Sequence, residues 1–421
     1  MPWHEACSTT LQEGSVHDHP LPVPAISNDV SSWASTPFDR WALGRIQRSV
    51  ATAPIQFALW DGFELPSPRR PIAGTVRFRN RAALFSWVWD PDLNFGETYM
   101  SGAVEFSGDL VELLEAVYRA LPAPKPRPWW LWQKSTDVRA AKENVHHHYD
   151  LGNEFYRLWL DSEMVYTCAY FPTPDYSLDA AQRAKMDLVC RKLRLASGER
   201  VIEAGCGWGS LALFMAANYG VSVRAFNVSV EQIAYARERA ARAGLSDRVE
   251  FIEDDYRNAS GTYDAFVSVG MLEHVGLPEY STFGTVIDRS IGPNGRGLLH
   301  FIGRDRPLPL NPWIRKRIFP GAYPPTLTEL FERALVPQGL SVLDVENLRL
   351  HYDKTLEHWL RRFNDASDSI ARMFDDTFVR AWRLYLSGSQ VAFRTGSMQL
   401  FQVVFARGGS NAIPWTRVSG L

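Results

Sequence analysis

The run Val201-Ile202-Glu203-Ala204-Gly205-Cys206-Gly207-Trp208-Gly209 constrains this chain more than any other segment. Two apolar residues, an acid and then alternating glycines predict a buried strand that turns sharply into a helix. Gly205 and Gly207 leave room for backbone to approach a ligand, and Gly209 opens the helix. Downstream the pattern predicts strands over 221–226, 249–252 and 265–269, with a helix over 229–243. Strands alternating with helices imply a parallel sheet. Ligands of such sheets sit beyond the carboxyl ends of the strands, which places Asn227, Gln232, Asp255 and Tyr256 around the crevice that opens at Gly205. Loop capping is the competing use of these polar residues.

The acid decides what kind of ligand fits. Glu203 at the end of the strand would repel a pyrophosphate, whereas it suits an amino-acid ammonium and a sulfonium. S-adenosylmethionine carries both, so it is the expected cofactor.

With 421 residues, of which 46% are hydrophobic and 22% charged, the chain is long enough for two cores. A formal net charge of -2 provides no field to attract nucleic acid, which argues against such a partner. Cys7, Cys168, Cys190 and Cys206 show no CxxC spacing, so neither a zinc site nor a disulfide framework is expected and a reducing cytoplasm fits. Residues 1–35, rich in Ser, His, Pro and acids, read as a disordered tail rather than a secretory signal. No run of about 18 apolar residues occurs, so membrane contact is expected to be peripheral, at the inner face.

A small α+β domain is predicted over 36–121, with strands over 55–59, 74–78 and 103–106 and an amphipathic helix over 110–121. Pro122, Pro124, Pro126 and Pro128 mark a linker over 122–139, which also carries Trp129, Trp130 and Trp132 among Lys125, Arg127 and Lys134. That mixture suits a membrane interface or a packed domain junction. The catalytic domain is expected over 140–410, with a short tail over 411–421. It includes a helix over 280–290, a strand over 297–301, late helices over 353–396 and a closing strand over 399–406. Between them lies a basic, proline-rich insertion where Arg304, Arg315, Lys316 and Arg317 stand beside Trp313, Ile314, Ile318 and Phe319. Such a cluster suits anionic head groups or a solvated surface. His146, His147 and His148 lack a carboxylate or cysteine partner at ligand spacing, so no metal is expected.

Three further motifs sharpen the reading: His148-Tyr149-Asp150-Leu151-Gly152-Asn153, Tyr166-Thr167-Cys168-Ala169-Tyr170-Phe171 and Gly270-Met271-Leu272-Glu273-His274-Val275-Gly276. Together with the glycine turn, in this order and spacing, they resemble the cyclopropane-fatty-acyl-phospholipid synthase family over roughly residues 140–410. The segment 95–114, with Gly96, Tyr99, Met100, Gly102 and Gly108, is similar to the amino-terminal domain of bacterial members. The resemblance implies a doubly wound, Rossmann-like methyltransferase sheet with a helical cap, preceded by a small α+β domain for membrane docking or dimer formation. It also implies a reaction: S-adenosylmethionine gives its methyl group to the cis double bond of a phospholipid acyl chain, and the resulting cation loses a proton and closes to a cyclopropane.

In the family a bound bicarbonate is implicated as the base. Matched motif by motif, its site would comprise Cys168, Glu273, His300, Ile302 and Tyr352. The cofactor positions carried over are Tyr149, Gly205, Gly207, Asn227, Val228, Gln232 and Tyr256, joined by Glu203 from the charge argument. Tyr149, Tyr170 and Tyr352 offer electron-rich faces for developing positive charge. Two positions depart from the pattern. Asn227 stands where threonine is usual, and Ser389 where the family generally has a cysteine counted as catalytic. Serine cannot supply a thiolate, so either that cysteine is dispensable for the chemistry or the reaction ends differently, with a methyl- or methylene-branched product the nearest variant. The rival readings are a methyltransferase for a soluble small molecule and a lipid-binding paralogue without activity.

Overall fold

The computed structural model describes residues 34–122 and 151–416. Tyr149, the His146–His148 run, the tryptophan-rich linker and almost all of the expected amino-terminal tail lie outside the described residues. Among the described residues, eleven strands form two sheets. Four belong to the amino-terminal part: β1 (Ile55–Ala58), β2 (Glu64–Leu65), β3 (Gly74–Phe78) and β4 (Val104–Gly108). The rest are β5 (Arg200–Ala204), β6 (Ser222–Asn227), β7 (Val249–Glu253), β8 (Tyr263–Val269), β9 (Ile291–Gly303), β10 (Leu340–Asn347) and β11 (Gln399–Arg407).

The larger sheet runs in the order β10-β11-β9-β8-β5-β6-β7. β5 pairs in parallel with both β6 and β8, and only β11 runs against its neighbours. Strands covered on both faces must be apolar throughout, and Val201, Ile202, Ala265, Phe266 and Val267 are all fully buried. Each such Val, Ile or Phe stabilises the fold by roughly 1.5–3 kcal/mol. Helix starts follow local capping chemistry: Ser177 caps Leu178–Leu193 and Ser229 caps Val230–Arg242. The chain order reverses at β5, between β6 and β8, and this opens a crevice at the carboxyl ends.

The small sheet, ordered β2-β1-β3-β4, is sandwiched with helices the sequence pattern did not reveal. Pro37–Ser49 begins in a Thr36/Asp39 capping box, and Arg81–Trp89 is followed without a loop by Pro91–Met100 because Asp90 ends one helix and caps the next. The amino-terminal part is bolted to the rest through Pro91–Met100. Gly96 presses on the Trp313 ring, where any Cβ would clash. Glu97 takes Arg317 Nη2 at 2.6 Å, and Arg380 lies 4.5 Å over the Tyr99 ring.

That contact corrects the expectation for the basic insertion. Trp313 and Ile318 are buried, Arg317 is tied to Glu97, and Arg304 donates to Pro309 O at 3.1 Å. The insertion is in large part an internal bracket, although Arg306, Arg315 and Lys316 are exposed. The stripe Leu356, Trp359 and Phe363 in Arg349–Asp365 is likewise core.

Candidate active site

The crevice is walled by Glu203, Gly205, Gly207, Asn227, Val228, Gln232, Asp255 and Tyr256, the residues expected around a cofactor. Gly205 has φ 85° and its N–H donates to Phe226 O at 2.9 Å; a side chain there would meet Met271 Cβ at 2.8 Å. The Cβ position of Gly207 instead faces open space, so its backbone is approachable. Asn227 Nδ2 donates to Gln232 Oε1 at 2.7 Å and to Gly207 O at 3.3 Å, which fastens the turn to the next helix. Asp255 is engaged by Arg257 at 2.8 Å and takes no free position in the cavity.

Glu203 is the electrostatic centre of this half. It is 2% exposed, its Oε2 has no partner among the described residues, and burial raises its carboxyl to about 8 against the pull of Lys185. An orphaned carboxylate beside an open glycine backbone fits a ligand bearing an ammonium and a sulfonium. The free Nε2 of Gln232 adds a donor for the same ligand. S-adenosylmethionine would therefore be held by Glu203, Gly205, Gly207 and Gln232, and would supply an electrophilic methyl group there.

The other expected residues lie behind this wall. Met271 and His274 face the cavity, whereas Glu273 between them points inward. Glu273 Oε1 accepts the Ile302 N–H, its Oε2 has no partner among the described residues, and burial pushes its carboxyl up to about 7 despite that hydrogen bond. His300 is brought alongside by β9, whose carbonyl at His300 accepts Gly270 N–H at 2.8 Å. Burial holds the His300 imidazole neutral, and its Nε2 is also without a partner among the described residues. Cys168 is fully buried and donates to Ala169 O at 3.1 Å; burial pushes the thiol far up, so no thiolate forms.

The Cys168 segment is joined to the helix carrying Tyr352, because Ala169 N–H donates to Thr355 Oγ1 at 3.0 Å. Tyr352 stacks on Phe393 with centroids 4.4 Å apart and meets Trp359 edge-on. Ser389 sits half-buried in Asp376–Arg394, one turn beyond Tyr385, whose hydroxyl lies 2.8 Å from that of Tyr166. Tyr170 stacks on His351 at 4.7 Å, outside this group. Around Tyr166 and Tyr385 the cap is aromatic throughout, with Trp159, Trp359 and Phe319 in contact.

Two site residues escaped the sequence. Lys185 is 2% exposed, lines the cavity and donates to Thr167 Oγ1 at 2.9 Å. Its signal was a lysine at the buried-face spacing of Ala181 and Leu188. Gln402 bonds His300 across two strands and had no local signal.

Comparison with known proteins gives the family. The family described as mycolic acid cyclopropane synthetase matches residues 136–403, and a domain of unknown function matches residues 44–122. A probable fatty acid methyltransferase of Pseudomonas putida is 36% identical over 86% of this chain and 95% of its own. The cyclopropane-fatty-acyl-phospholipid synthase of Escherichia coli K12 is 42% identical over 63% of this chain and 68% of its own. Among solved structures, the cyclopropane synthase MmaA2 from Mycobacterium tuberculosis superposes with a TM-score of 0.61 at 29% identity, covering 63% of this chain and 98% of that one. Mycolic acid cyclopropane synthase CmaA1, complexed with SAH and CTAB, gives 0.60 at 29% identity over the same shares. The chain belongs to the mycolic acid cyclopropane synthetase family, as an S-adenosylmethionine-dependent lipid methyltransferase.

Proposed function

We propose that this enzyme methylates the cis double bond of an unsaturated phospholipid acyl chain and closes it to a cyclopropane, with bicarbonate as the base. The observation that carries this reading is two bare buried atoms, Glu273 Oε2 and His300 Nε2, the first on a carboxylate whose other oxygen accepts the Ile302 N–H two residues beyond His300 on β9. Buried polar atoms left without partners call for a small polar ligand.

The residues divide the work. Glu203 would receive the donor's ammonium, Gly205 and Gly207 would admit its backbone-sized parts, and Asn227, Val228, Gln232 and Tyr256 would hold the adenosyl group, a role the family motif also implies for Tyr149. The cap around Tyr166, Trp159, Trp359 and Tyr385 excludes water and keeps the alkene close to the methyl carbon. One C–C bond forms as the S–C bond breaks, and aromatic faces including Tyr352 temper the positive charge left on the chain. Glu273, His300, Ile302, Cys168 and Tyr352 would hold bicarbonate, which would supply the base for a proton of the new methyl group, and the electron pair of that C–H bond closes the ring. A buried thiol suits contact with that anion, not nucleophilic attack. A branched product is the second reading, favoured only by Ser389.

Docking at the inner face of the cytoplasmic membrane is supported by one surface of the small domain, 36–121. Phe38, Trp41 and Trp89 are 61%, 50% and 91% exposed, and Phe38 stacks on both Trp41 and Phe85. Arg45 and Arg48 continue the same exposed face of Pro37–Ser49. Aromatic rings beside cations suit a lipid interface, and the same face could serve pairing of two copies. No helix among the described residues is long and apolar enough to cross a membrane.

The test supplies methyl-labelled donor with vesicles of unsaturated phospholipid, vesicles of saturated phospholipid, or soluble amines. Label is expected in the unsaturated lipid alone and is expected to fall when bicarbonate is removed. Label in amines would establish the soluble-substrate reading instead, and binding without transfer would establish a non-enzymatic paralogue.

A further inference from the structure

We propose that Gln402 is a positioning residue that fixes the tautomer of His300, so that the ring presents Nε2–H to the anion site. The inference rests on the reading of that site given above. Gln402 and His300 are directly opposed in the β11/β9 register, and Gln402 is fully buried. Its Nε2 lies 3.0 Å from His300 Nδ1. An amide NH2 donates only, so the Nδ1 it faces is the acceptor. Burial, with Lys185 and Lys192 nearby, keeps the ring neutral, so it carries a single N–H. That proton then resides on Nε2, the atom left without a partner among the described residues.

The consequence is chemical. An Nε2–H beside a carboxyl gives a site one fixed donor and one group able to donate or accept, which matches an oxyanion that bears its own hydroxyl. The opposite tautomer would turn an acceptor toward the anion in place of that donor and repel it. Without Gln402 the two neutral tautomers compete, and part of the population carries the wrong one.

The experiment is nitrogen-15 spectroscopy of protein labelled at histidine, at pH 7, with the His300 signals assigned by their loss in His300→Ala. A protonated Nε2 and a bare Nδ1 are expected in the wild type. Gln402→Glu, which accepts where the amide donates, is expected to move protonation to Nδ1 or to charge the ring, and to lower turnover about tenfold or more with S-adenosylhomocysteine affinity held within about twofold. Gln402→Met, of similar volume, is expected to give a mixture of tautomers and an intermediate turnover, with circular dichroism confirming the fold. A protonated Nδ1 in the wild type, or an unchanged ring in Gln402→Met, overturns the proposal. The turnover of His300→Ala decides separately whether the anion site itself is read correctly.

Discussion

Two buried carboxylates, Glu203 and Glu273, organise the two halves of this site, and their surroundings differ. Glu203 has no partner on Oε2 among the described residues and lines an open cavity together with Lys185, whose charge pulls on it. Glu273 is pinned by the Ile302 N–H, stands behind the cavity wall and has the neutral His300 in its half of the site. On the function proposed above, the loose carboxylate would receive a cation that arrives and leaves, and the pinned one would keep a second, small group in register with the chemistry. The contrast teaches that burial alone does not assign a role, since burial raises both groups.

The contrast breaks most visibly at Glu273. Glu273→Gln is expected to lower turnover on the order of a hundredfold or more, with calorimetric affinity for S-adenosylhomocysteine within about twofold of wild type. Equal loss of both would merge the two halves. Glu203→Gln is expected to do the reverse first: removing a charged hydrogen bond weakens donor binding by about 1.5–3 kcal/mol, or roughly ten- to a hundredfold.

A pH series sharpens the same point. With its carboxyl raised to about 8 when no donor is bound, Glu203 carries a proton at neutral pH that must leave before an ammonium can pair with it. Donor affinity is therefore expected to climb from pH 6 toward 8, by up to about tenfold per unit, with proton release visible as buffer-dependent heat. A flat profile would place the ammonium elsewhere.

Smaller effects probe the frame. Gly96→Leu has no room against Trp313 and is expected to cost about 1–3 kcal/mol, read as a lowered Tm, while donor affinity is unchanged. Ser389→Cys is expected to move turnover by no more than about threefold, because Ser389 is half-buried on the cap helix one turn beyond Tyr385. A large gain would return the thiol to the mechanism.

Much of the donor half was legible because its logic is local. The glycine turn, the acid at the strand end and the residues after β6 and β7 all follow within a few positions of a strand terminus, where parallel sheets bind ligands. The helix Tyr280–Ser290 and the strand β3 fall where apolar spacing put them. β9 runs far longer than the expected 297–301, since Ile291 already pairs with Tyr263 and, after a register shift over 292–295, Arg296 resumes opposite Ala265. The edge strand β10 and the helices Arg81–Trp89 and Pro91–Met100 went unread, the last two because an Asp-Pro step joins them with no polar loop. In the other half, Gln402 meets His300 across 102 residues of chain, and no window of sequence contains that pair. The basic insertion misled for a related reason: its partner Glu97 lies 220 residues upstream.

The central claim is that a donor methyl becomes ring carbon after losing one proton to a base held at Glu273. The most direct measurement incubates the purified enzyme with a donor carrying a trideuterated methyl group and unsaturated phospholipid vesicles, then examines the fatty esters by mass spectrometry and nuclear magnetic resonance. The expected product gains one carbon bearing two deuterons and shows the upfield signals of a cyclopropane. A gained carbon that keeps all three deuterons, or lipid that gains none, would contradict the account.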